Sequence, residues 1–78
     1  MAGLSKRSVN LSGHATSLAL EPEFWAVLDE AAREEASMAA LLLRIDAGRG
    51  KRPLASACRV FALNRALASA GPDGSARE

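Results

Sequence analysis

The chain has 78 residues, a net charge of +1 and a single cysteine. That length holds one small domain with a core of marginal size, for which assembly with a second copy is a common remedy. One cysteine excludes an internal disulfide and fits a reducing compartment, no Cys/His cluster has zinc spacing, and no stretch approaches a membrane span or a signal peptide, so the reading is a soluble, cytoplasmic protein with no membrane partner.

The small net charge hides an uneven distribution. Residues 21–35 hold Glu21, Glu23, Asp29, Glu30, Glu34 and Glu35 against Arg33 alone, whereas residues 36–72 hold Arg44, Arg49, Lys51, Arg52, Arg59 and Arg65 against Asp46 alone. The first helical segment is acidic and the later ones are basic.

Residues 1–7 have no periodicity and read as a flexible N-terminal arm. Ser8 to Leu11 suits a short strand, with Val9 and Leu11 on one face. Ser12-Gly13-His14 is a turn candidate, so the segment to Leu20 forms either an irregular hairpin or an extended arm packed on the helices. Across Ala15 to Leu20 the alternation puts Thr16, Leu18 and Leu20 on one face and Ala15, Ser17 and Ala19 on the other. A lone strand leaves its ladder edges unpaired, so a partner strand must come from elsewhere in the chain or from a second copy.

Pro22 is preset for a first helical position, and Phe24, Val27, Leu28, Ala31 and Ala32 follow the stripe of a half-buried helix. This predicts a helix to Glu34 or Glu35, with Trp25 as a core anchor. The two terminal glutamates suit its dipole poorly. Ser37 then caps a second helix by accepting a bond from the amide of Ala39 or Ala40. That helix spans Met38 to Ala47 and buries Met38, Leu41, Leu42 and Ile45. Gly48 sits at its end, where a left-handed residue is usual.

Arg49 to Arg52, RGKR, is a basic loop, either a solvated connection or a phosphate contact. After Pro53, residues Leu54, Ala57, Cys58 and Phe61 mark a third helix, with Arg59 and Arg65 on its flank and an end at Ala70 to Gly74. Residues 70–78 read as a disordered tail, which leaves residues 8–69 as the folded domain.

Catalytic chemistry is not in evidence. His14 has no nucleophile at a matching spacing and reads as a turn histidine. Cys58 lies on an apolar stripe, as a small core residue does. Gly48 and Gly50 follow a helix and not a strand, unlike a phosphate-binding loop. The reading is a protein that is not an enzyme and needs no cofactor or metal.

The order of these elements, together with Lys6-Arg7-Ser8-Val9, Gly13-His14, the junction from Thr16 to Trp25 with its E-P-E-F-W, Ile45-Asp46 and a third helix, resembles the ribbon-helix-helix family. More narrowly, it is similar to a small bacterial branch with the G-H pair and that junction, over about residues 6 to 67. The resemblance implies a mainly α fold with a short N-terminal β-ribbon, a dimer, and an additional C-terminal helix. In the family, strands of two subunits pair antiparallel and the ribbon enters the major groove of duplex DNA.

Carried onto this chain, that scheme puts Leu18, Leu20, Trp25, Leu28, Leu41, Leu42 and Ile45 in the dimer core. It points Ala15, Ser17 and Ala19 at base edges and sets the amides around Ser37 and Met38 on a phosphate. Lys6, Arg7, Arg49, Lys51 and Arg52 supply further phosphate attraction. Two departures stand out. The outward strand positions lack the long polar side chain common in the family, and the turn at Glu35-Ala36-Ser37 lacks a glycine. The implied function is a homodimeric transcriptional regulator. The alternative is a protein-interaction module on the same scaffold, antitoxin-like, meeting a partner through the third helix with little sequence-specific DNA readout.

Overall fold

In the computed structural model, which describes the backbone of residues 3–75 and the side chains of residues 3–69, two strands precede three helices. Strands β1 (Ser5–Leu11) and β2 (His14–Leu20) form an antiparallel hairpin in which Ser5 faces Leu20 and Leu11 faces His14. The connecting residues, Ser12 and Gly13, have φ of 53° and 85°. Positive φ at both central positions characterises the tight turn whose twist matches that of its strands. Asn10 Oδ1 accepts the Gly13 N–H at 3.1 Å and closes the turn.

The hairpin, and not the packed arm, is therefore what the chain forms. It is also longer than its apolar positions suggest. β1 starts at Ser5 because the buried Trp25 indole Nε1–H donates to the Ser5 carbonyl at 2.7 Å and because Arg7 is held by Asp29. Ser5 to Arg7 thus belong to the sheet and not to a free arm. One edge of β2 is paired inside the chain, so this strand does not depend on a second copy for its first partner.

Helix α1 (Pro22–Ala32) follows without a loop. Glu21 is extended and its carbonyl accepts the amides of Phe24 and Trp25 at 2.9 and 3.1 Å. Its side chain makes no cap, because its carboxylate is bound by Arg59 of the third helix at 2.9 Å. The helix stops at Ala32, short of the expected Glu34 or Glu35. Those glutamates lie in the following turn, where Arg65 binds Glu34 at 2.7 Å and Arg44 binds Glu35 at 3.0 Å. Interhelical ion pairs, and not the α1 dipole, account for the two charges.

Helix α2 (Met38–Ala47) has the predicted bounds, and Ser37 Oγ accepts the Ala40 amide at 3.1 Å. Gly48 caps it at φ −101° and not in the left-handed region. The left-handed glycine is Gly50, at φ 62°, where the loop reverses toward the third helix. Helix α3 (Leu54–Ser75) continues through Ala70 to Gly74, where an end was expected. Expectations for Met1, Ala2 and residues 76–78 lie outside the described residues.

α3 lies against α1, α2 and β2. Ala57, Cys58 and Ala62 on its inner side complete a core with Leu18, Leu20, Trp25, Leu28, Ala31, Leu41, Leu42 and Ile45. All seven positions assigned from sequence to a dimer core are thus buried within one chain, and α3 packs against the three elements that carry them. Fully burying one such leucine contributes about 1.5–3 kcal/mol. Cys58 is fully enclosed, and burial pushes its thiol up to about 11.

Candidate nucleic-acid interface

Successive residues of a strand point to opposite faces, and directly paired residues share a face. Leu18 and Leu20 face the core, which assigns both sides of the hairpin. On the core side Ser5 lies opposite Leu20, Arg7 opposite Leu18 and Val9 opposite Thr16. On the outward side Lys6 lies opposite Ala19, Ser8 opposite Ser17 and Asn10 opposite Ala15. All six outward residues are exposed except Ala19, which is half-buried.

The outward face therefore differs from the one read off β2 alone. Ala15, Ser17 and Ala19 form a low row of small side chains, and β1 sets an ammonium, a hydroxyl and an amide beside it. Alternation with Val9 and Leu11 already turns Ser8 and Asn10 to the other face, but they were missed because their place beside Ser17 and Ala15 depends on the hairpin register. Asn10 Oδ1 is committed to the turn. Its amide NH2 remains a donor.

Arg7 is not on this face. Alternation puts it on the core side, where its guanidinium forks onto Asp29 at 2.8 and 3.1 Å and lies 4.2 Å from the centre of the Trp25 ring. Arg49 is likewise engaged: its Nε–H binds Asp46 and its terminal nitrogen donates to the Arg52 carbonyl at 2.7 Å. Among the described residues, Lys6, Lys51 and Arg52 form no ion pair and are exposed. At the start of α2, the Ser37 cap takes the Ala40 amide and the Ser37 carbonyl accepts from Leu41. The amides of Met38 and Ala39 are left without an intrahelical partner, as in any first helical turn.

Acidic groups are largely matched by arginines. Arg59 holds the Glu21 carboxyl below the usual carboxylate range, Arg7 does so for Asp29, and Arg65 for Glu34. His14, at the start of β2, is exposed. Among the described residues no group of three or more His, Cys, Asp or Glu side chains is placed to hold a metal ion, and no helix is long and apolar enough to cross a membrane.

The family model described as a ribbon-helix-helix domain matches residues 4–66, which spans the hairpin, α1, α2 and the first half of α3. No curated protein and no solved structure matches the chain. On the match and on the strand-helix-helix order beneath it, the chain belongs to the ribbon-helix-helix family.

Proposed function

We propose that this protein is a homodimeric DNA-binding transcriptional regulator of the bacterial cytoplasm that lays the outward face of its hairpin in the major groove. Members of the family are in general DNA-binding regulators or antitoxins. The observation that carries the reading is the outward face itself. Its row of Ala15, Ser17 and Ala19 lets the backbone come close to base edges. Lys6, Ser8 and Asn10 from the neighbouring strand add the donors and acceptors that the small residues lack. The groove admits two strands, so in a dimer joined along β2 the central pair of β2 strands enters it and the β1 side chains reach in from either side.

Dimerisation uses the remaining edge of β2. In a two-stranded sheet each strand keeps one edge without a sheet partner, and a two-fold axis at β2 would extend the sheet to four strands with both copies of Ser17 near its centre. The amides of Met38 and Ala39 would receive a phosphate, and Lys51 and Arg52 would add attraction without base information.

The test is a titration of mixed-sequence duplex against salt, with sedimentation run in parallel. The proposal expects a dimer whose log affinity falls linearly with log salt at a slope of several units, each phosphate contact contributing about 0.9. Absence of binding at low salt would reject it. A protein-interaction role on the same scaffold would draw on α3 and the basic loop, leaving the ribbon free but calling on Lys51 and Arg52 as well.

A further inference from the structure

Between the end of α2, the loop after it and α3, an open cleft of about 290 Å³ is floored by Ile45, Val60 and Phe61 and edged by Arg44, Arg49 and Arg52. The edge keeps a positive balance. Arg44 shares its charge with Glu35 and Arg49 with Asp46, while Arg52 has no ion pair among the described residues. The bonds from Arg49 to Asp46 and to the Arg52 carbonyl also fix the shape of the loop at the cleft.

The apolar surface does not stop at the cleft. Leu63 and Leu67 follow Val60 at spacings of three and seven, on one side of α3, and they are 54% and 58% exposed. From Val60 to Leu67 this adds about 10 Å of helix length. A phosphate backbone gains nothing from such a floor, and a compact small molecule in the cleft would not reach Leu67. The matching occupant is elongated, apolar along one side and acidic along its flanks.

We propose that the α2–α3 cleft and the Leu63–Leu67 stripe form a docking site for an acidic amphipathic helix of a partner protein. One apolar side chain of that helix enters the cleft over Val60 and Phe61, and others one and two turns on cover Leu63 and Leu67. Its carboxylates meet Arg52 and Arg44 at the edge, where charge sets orientation and rejects basic partners. The site shares no residue with the outward face of the hairpin, but it takes Arg52 from the loop proposed to attract phosphate, so an acidic helix and duplex DNA would compete for that side chain.

Three labelled peptides of about 18 residues, long enough for five helical turns, test the proposal: a leucine-striped helix flanked by glutamates, its counterpart flanked by lysines, and a scrambled acidic control. The acidic helix should bind at least about tenfold tighter than the other two. Arg52→Glu and Leu67→Ser, both at exposed positions, should each weaken it by about tenfold with unchanged circular dichroism. Equal binding of acidic and basic helices, absence of binding up to about 1 mM, or indifference to both substitutions would overturn it. So would loss of a wild-type dimer in Leu67→Ser, since the stripe would then be a seam between copies. Weakened duplex binding by Arg52→Glu without any binding of the acidic peptide would assign the edge to phosphate instead.

Discussion

Arg7 and Asp29, 22 positions apart, close a two-pronged ion pair at 2.8 and 3.1 Å beneath the hairpin. With the Trp25 indole bound to the Ser5 carbonyl and the guanidinium stacked over its ring, this pair fastens β1 to α1. It thereby holds the outward face of the sheet at a fixed angle to the helices. An arginine that the family resemblance placed on phosphate instead orients the strand.

Removing that clasp should loosen the hairpin and leave the core in place. Both side chains are more than a third exposed, so solvent screening keeps the expected loss from Asp29→Ala near 0.5–1 kcal/mol. Arg7→Lys should lose a similar amount, because an ammonium neither forks onto a carboxylate nor stacks as a guanidinium does. Urea unfolding followed by the fluorescence of Trp25, the sole tryptophan, measures both. Full stability in Arg7→Lys would show that the fork and the stacking contribute nothing.

Acid should destabilise the fold through Glu21, Asp29 and Glu34. Each carboxyl titrates lower in the folded chain because an arginine hydrogen-bonds its charged form. The folded state therefore binds fewer protons than the unfolded state. This contribution is complete above the ordinary carboxylate range of about pH 4 and is lost as pH falls through the lowered values. Urea midpoints should hold from neutral pH to about pH 5 and then decline, with a shallower decline at about 1 M salt. A midpoint that rises on acidification would contradict the ion-pair assignments.

The loop after α2 discriminates between its glycines. A Cβ on Gly48 would meet only the carbonyls of Arg44 and Ile45 at 4.0 Å, and the backbone there is open to any residue. Gly50 has open space but φ 62°. Gly48→Ala should stay within about 0.5 kcal/mol of the parent, and Gly50→Ala should cost about 1 kcal/mol. Thermal unfolding of the pair would show the reverse order if Gly48 were the left-handed residue.

Local chemistry made the helices readable in the sequence. Ser37 caps α2 as its position predicts, and Leu41, Leu42 and Ile45 bury the face that their spacing predicts. What could not be read depended on residues far apart in the chain. Ser5 to Arg7 are polar and carry no apolar alternation, so nothing local marks them as strand; Trp25 and Asp29 hold them there. The place of Ser8 and Asn10 beside Ser17 and Ala15 needed the register with β2. The pairing of Arg49 with Asp46, only three positions apart, is by contrast a local contact of the kind that spacing can suggest.

Neighbouring residues on β2 test most directly whether the outward face of the hairpin meets DNA. Ser17 and Thr16 are both exposed but point to opposite sides of the sheet, Ser17 opposite Ser8 and Thr16 opposite Val9. A glutamate at either position adds the same charge at almost the same place in the chain. Titrated against one duplex at fixed salt, Ser17→Glu should lose at least about 1.4 kcal/mol of binding, a tenfold drop, because it sets a carboxylate against base edges and phosphates. Thr16→Glu should stay within about threefold of the parent, since only screened, longer-range repulsion reaches it. Equal losses at the two positions, or a larger loss at Thr16, would contradict the account.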